Sequence, residues 1–162
     1  MAEARFRPET HRLVLVCIMV VGLLLRLDEA HDWNVGLPNS PQRLTLGDEP
    51  GYDNLARSLL DGRGFDWPGR VPLYPVWIAA VHAVTGYDYT AVPYAQAFVG
   101  AIVIPLTYVL GRSVLGTATG MVAALGAALD PVLIDNTGPV LSEVLYTPVL
   151  LGALIYLGGC AP

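Results

Sequence analysis

The sequence predicts an all-α membrane protein: a polytopic helix bundle with about four transmembrane helices and one long extracytoplasmic loop carrying amphipathic surface helices. Three observations predict it. Of 162 residues, 54% are hydrophobic and only 14% charged, against about 25% charged in soluble domains, so the chain lacks the polar surface to cover a water-soluble globule. The charges are segregated, leaving uncharged runs between them. A spanning helix consumes about 20 residues, which leaves room for roughly four. Such a composition excludes a disordered chain.

The first element is the run Leu13 to Leu25, apolar apart from Gly22, which Arg26 and Leu27 extend if the guanidinium snorkels to the interface. It follows a tail, residues 1–12, that carries Arg5, Arg7, His11 and Arg12. Signal peptides also begin this way, but Ala30, the only small residue near a cleavage point, follows Asp28 and Glu29. Residues 13–27 are therefore read as a retained first span.

Residues 28–88 form the long loop, with nine acids and, from Arg43 onward, four arginines. Within it Tyr52, Leu55, Ala56, Leu59 and Leu60 recur at helical spacing. Pro50 suits the first turn, and Gly62 or Gly64 suits the stop. Asp53 and Arg57, then Arg57 and Asp61, stand four apart on the opposite face, where such pairs contribute a few tenths of a kcal/mol. This predicts a short amphipathic helix on the outer membrane surface. A second segment, Val71 to Gly86, is apolar but interrupted by Pro72, Pro75 and His82; it either crosses or lies along the interface.

Three further spans are read over 89–158: Tyr89 to Gly111, Ser113 to Leu129, and Val144 to Leu157 with a backward extension through Asn136 to Ser142. Gly116, Gly120 and Gly126 are small residues of the kind that let helices approach closely. Charge decides the topology. With a cytoplasmic N-terminus and 71–86 on the surface, Arg112 falls in a short cytoplasmic turn and Asp130, Asp135 and Glu143 fall outside, as the positive-inside rule prefers. The expected location is integral to the membrane, with the plasma membrane as its site.

The nine basic residues are all Arg, against fourteen acids, for a net charge of −5. No basic stripe points to a nucleic-acid partner. Cys17 and Cys160 lie in or beside apolar runs, with no CxxC and no clustered His, so neither a disulfide scaffold nor a zinc site is signalled. They read as buried small hydrophobes.

Chemistry centres on the acids. Asp48 and Glu49 stand just before the loop helix, where a carboxylate facing water beside lipid headgroups could abstract a proton from an acceptor hydroxyl; either could equally cap the helix. Glu143 is suspicious because an ionised carboxylate within a span costs roughly 2 to 3 kcal/mol and usually faces a cavity or a partner; otherwise it marks the wet end of its helix. Asp130 and Asp135 fall on the same side, although Asp130-Pro131 is also an ordinary helix-ending pair. Arg63 and Arg70 could grip a phosphate with forked hydrogen bonds, or be solvated charges or headgroup contacts. His82, with no second ligand nearby, reads as an interfacial helix residue and not a metal ligand. Tyr74, Trp77, Tyr87, Tyr89 and Tyr94 suit an aromatic belt.

The order of features is more informative than any one of them. An anchor ending Leu24-Leu25-Arg26-Leu27, then Asp48-Glu49-Pro50-Gly51-Tyr52 opening a helix that ends Leu60-Asp61-Gly62-Arg63-Gly64-Phe65, then Arg70-Val71-Pro72-Leu73-Tyr74-Pro75, and later Leu141-Ser142-Glu143-Val144-Leu145-Tyr146-Thr147-Pro148, resembles the start of GT-C glycosyltransferases. The group in question is the dolichyl-phosphate-mannose protein mannosyltransferase-like one, which includes lipid A aminoarabinose transferases. The resemblance implies an enzyme that moves a sugar from a polyprenyl-phosphate carrier to an acceptor hydroxyl at the outer face, with inversion. It implies Asp48 as general base with Glu49 adjacent, Glu143 as a second site acid, and Arg63, Arg70 and Tyr52 as contacts to the donor. No cofactor follows from it, and a divalent metal, which varies across the superfamily, is not assigned. The carrier-linked donor and membrane lipids are the expected partners; the acceptor, whether protein, lipid or glycan, stays open. Members of that group are several hundred residues long, so the chain is expected to be an N-terminal portion, inactive alone. The alternatives are a non-catalytic membrane assembly protein and a transporter-like bundle with Asp130, Asp135 and Glu143 as an acidic relay.

Overall fold

The computed structural model describes residues 8–65 and 69–159; Arg5, Arg7 and Cys160 lie outside the described residues. Among these residues the secondary structure is entirely helical: α1 (Pro8–Asn34), α2 (Glu49–Leu60), α3 (Leu73–Thr85), α4 (Ala91–Ala101), α5 (Val103–Leu115), α6 (Thr117–Leu129), α7 (Pro131–Asp135) and α8 (Glu143–Gly159), with a 3-10 turn at Pro41–Arg43.

Two layers result. The bundle consists of α1, α4, α5, α6 and α8, with α5 and α6 as an antiparallel hairpin and α1 packed on α4 and α6. The cap consists of α2 and α3, which pack on each other across one end of the bundle. Within the bundle, small residues stand at the crossings. A Cβ on Gly120 would come 2.7 Å from the Tyr108 carbonyl oxygen, and one on Gly22 would come 3.0 Å from Ala128 Cβ. Large aliphatic side chains such as Leu13, Val20, Leu24, Val122 and Leu154 point outward. Small residues thus set the close crossings around the buried Ile104, and large apolar side chains cover much of the outer face.

One helix among the described residues, the continuous stretch Ala91–Leu115 of α4 and α5, is long and apolar enough to cross a membrane. Only 17% of its most apolar window is buried, so it is not the enclosed core helix of a soluble domain. The other expected spans are helical but do not reach that standard. Thr117–Leu129 and Glu143–Gly159 are shorter apolar helices, and α1 carries Arg12, Arg26, Asp28, Glu29 and Asp32 along its 27 residues. A bundle of helices is therefore present, while four crossings are not established by length.

Several boundaries and burials differ from expectation, each for a physical reason. The turn after the long helix is at Gly116, not at Arg112, because Gly116 alone adopts the left-handed backbone (φ +91°) that ends the helix; Ser113–Leu115 thus belong to α5. Of the three small residues in that region, Gly120 makes the close approach, Gly116 makes the turn, and Gly126 faces open space. Helix α8 starts at Glu143 and not at Asn136, because Asp130 caps the short α7 by accepting from the Leu133 N–H (3.0 Å) and the chain then turns through Pro139. Arg26 does not snorkel. Its guanidinium is fully buried and donates to the Ala127 (3.0 Å) and Ala128 (3.4 Å) carbonyls, satisfying orphan acceptors at the C-terminus of α6. Cys17 is exposed on the outer face of α1 instead of buried, since the Gly22 side of α1 takes the packing.

Candidate functional site

Of the residues singled out in the sequence, Asp48, Arg70, Tyr52 and Glu143 are linked at the cap end of the bundle. Asp48 precedes α2, and its carboxylate takes a two-pronged contact from Arg70: Nη1 to Oδ2 at 2.6 Å and Nη2 to Oδ1 at 2.6 Å. The Arg70 guanidinium also stacks 4.7 Å above the Tyr52 ring. The Tyr52 hydroxyl donates to Ser142 Oγ (3.2 Å), whose hydroxyl lies 3.5 Å from Glu143 Oε2. A chain of contacts thus runs from Asp48 to Glu143 across 95 positions of sequence.

That chain borders a cavity of about 620 Å³. Tyr52, Arg70, Ser142 and Glu143 line one side, and Val71, Leu73, Leu145 and Val149 supply an apolar wall. Glu143 is exposed at the first turn of α8, where the N-terminal partial positive charge favours a carboxylate. The ion pair with Arg70 holds the Asp48 carboxyl below its ordinary range, and the same contact raises the Arg70 guanidinium. Asp48 makes no side-chain cap bond to α2; its oxygens are committed to Arg70.

Glu49, expected beside Asp48 in the site, is placed elsewhere. It is 1% exposed, with Oε1 accepting from the Val140 N–H and Oε2 from the Leu46 N–H, both at 2.8 Å. Both oxygens are occupied by backbone donors, so Glu49 fastens α2 to the segment that leads into α8. Arg63 is brought to neither the cavity nor the ion pair. It forms an exposed pair with Asp61 (2.9 Å).

A second polar cluster was not legible in the sequence. Asp53, expected on the solvated face of α2, is buried with His82, expected at the interface: His82 Nε2 lies 3.4 Å from Asp53 Oδ1. Arg57 Nε donates to Asp53 Oδ2 (2.8 Å), as does the Tyr89 hydroxyl (3.2 Å). Tyr87 and Tyr89 pack on the His82 ring at 5.3 and 5.0 Å. Of the tyrosines expected in an interfacial belt, Tyr74 and Tyr89 are buried in the cap interior, while Tyr87 stays exposed at its edge. Tyr74 is buried and donates to Gln96 Oε1, while Gln96 Nε2 donates to the Thr137 (2.7 Å) and Pro139 (2.8 Å) carbonyls. The pairing of α2 with α3 explains the difference: the two helices share an apolar cluster of Tyr52, Ala56, Tyr74, Ile78 and Ala79, and Asp53 and His82 are buried with it. Only the four-residue spacing of Asp53 and Arg57 hinted at it.

Among the described residues, no group of three or more His, Cys, Asp or Glu side chains is gathered where a metal ion would need them. No family model, curated protein or solved structure matches this chain.

Proposed function

We propose that the cavity receives the headgroup of a polyprenyl-phosphate-linked sugar, and that the chain is part of an inverting membrane glycosyltransferase acting at the extracytoplasmic face. The observation that carries this reading is one cavity that joins the Arg70 guanidinium, the Glu143 carboxylate, a tyrosine and a hydroxyl to an apolar wall, with Asp48 paired to Arg70 behind its lining. A phosphate needs a forked cation, a sugar needs hydrogen-bonding groups beside an aromatic ring, and a polyprenyl chain needs an apolar path. In this proposal α1, α4 with α5, α6 and α8 cross the plasma membrane, the N-terminus is cytoplasmic, and the cap lies outside.

In the reaction the acceptor hydroxyl oxygen attacks the anomeric carbon as the bond from that carbon to the phosphate oxygen breaks. The electron pair leaves with the carrier phosphate, whose charge Arg70 meets. The hydroxyl proton passes to Asp48 as general base, and Glu143 orients the acceptor from the opposite end of the cavity. The acidic-relay alternative draws no support, because Asp130 is committed to the Leu133 amide and Glu143 lies in the cavity.

The test is turnover of radiolabelled polyprenyl-phosphate mannose in membranes containing the whole enzyme of which the chain is read as a part, measured as sugar lost from the carrier. Expected is consumption that Asp48→Asn and Glu143→Gln each reduce at least 100-fold, the lower range for general acid–base groups being about 10²-fold, with the variants still folded. Turnover undiminished in Asp48→Asn removes that residue from the mechanism.

A further inference from the structure

We propose that the Arg70–Asp48 ion pair is exchangeable: a phosphate group entering the cavity takes the place of the Asp48 carboxylate on the guanidinium and so releases Asp48. This rests on the headgroup reading above and adds the order of events to it.

The geometry is asymmetric in the way an exchange requires. Arg70 lines the cavity, whereas Asp48 is not among its lining residues. The guanidinium is therefore reached from within by a ligand and from without by the carboxylate. Both of its terminal nitrogens are taken by Asp48 at 2.6 Å, which is the donor pair that a phosphate would also use in a two-pronged contact. Arg70 is the fixed member. Its side chain is 20% exposed and it is stacked on Tyr52 at 4.7 Å. Asp48 is the movable member, with a side chain 57% exposed and no bond to the helix it precedes. On release it returns to water, so little desolvation opposes the exchange.

The consequence is coupling. While Asp48 is paired, its lone pairs are engaged and its basicity is depressed, so it is a poor proton acceptor. Once a phosphate holds Arg70, the carboxylate regains ordinary basicity beside the same cavity. Donor binding would thus create the base that the acceptor needs, and an empty site would hold the base inactive.

The experiment follows the Asp48 carboxyl carbon by NMR in the full chain in micelles, with ¹³C-labelled aspartate, assignment by Asp48→Asn, and pH titration with and without farnesyl phosphate. Without ligand the midpoint should lie below about 4, the ordinary carboxylate value. With saturating ligand it should rise to that value or above, and match the midpoint measured in Arg70→Gln; if that variant does not fold, the ordinary value is the reference. Binding with a midpoint that stays depressed means that phosphate and Asp48 share the guanidinium, and overturns the exchange while sparing the headgroup reading. No binding at millimolar farnesyl phosphate overturns both.

Discussion

The bundle and the cap bury their polar groups differently. In the bundle the crossings are made by Gly22, Gly120, Ala124 and Ala128 packed beside Ile104, and the buried charge, Arg26, donates to carbonyls at the end of α6. In the cap an apolar cluster of Tyr52, Ala56, Tyr74, Ile78 and Ala79 is edged by buried acids, Glu49 on two amides and Asp53 beside His82 and Arg57, and Gln96 of α4 ties Tyr74 to two carbonyls between the layers. Close approach and dispersion hold the first. The second adds hydrogen bonds that are costly to leave unmade. The candidate site lies where the two layers meet, with Arg70 and Tyr52 from the cap and Ser142 and Glu143 from the bundle.

The contrast can be broken most severely from the bundle side. Gly120→Leu would place a side chain against the Tyr108 carbonyl oxygen, 2.7 Å from an ideal Cβ. Backbone cannot yield as a side-chain tip does, so the α5–α6 hairpin should lose about 3 kcal/mol, read as a lowered melting temperature in detergent and as loss of cap and bundle together.

Next comes the fastening between the layers. Glu49→Ala leaves the Leu46 and Val140 amides without acceptors, and a buried unsatisfied group costs about 1–3 kcal/mol. Hydrogen exchange at those two amides should speed up, while α5 and α6 stay protected. Gln96→Leu is the companion test. It strips partners from Tyr74, Thr137 and Pro139, and should lower the stability of the cap by about 2 kcal/mol.

A weaker effect follows from pH. The Asp48 carboxyl is depressed in the folded chain by Arg70, so the pair stabilises above the unfolded value of about 4 and is lost as pH falls through the folded value. Hydrogen exchange at the Gly69 and Arg70 amides, taken relative to the intrinsic rate, should speed up on acidification below about pH 4 in wild type, and Asp48→Asn should remove that dependence. Smallest is Arg63→Ala. The exposed Asp61 pair should matter by less than about 0.5 kcal/mol in melting measurements, and sugar consumption should not change.

Helix α2 was legible almost to the residue. Its apolar spacing, Pro50 and the following glycines bound the observed Glu49–Leu60, because they are local signals. Its polar face was misread for the complementary reason. Nothing local distinguishes an aspartate that meets water from one that meets His82, and that difference arises only when the next helix, α3, folds back over it. Asp48 and Glu49 show the same limit within one dipeptide, since adjacent carboxylates go to an exposed guanidinium and to two buried amides.

What the amino-acid order determined by itself is the all-helical character, the apolar exterior and the position of each turn former, since these follow from hydropathy and from the conformational freedom of glycine and proline. What only the tertiary structure decided is the long-range partner of the ionisable groups: that Arg26 closes the end of α6, that Asp53 is buried beside His82, and that Arg70 rests between Asp48 and Tyr52. A charge takes its partner from whatever the fold brings within about 4 Å, and spacing along the chain does not carry that information.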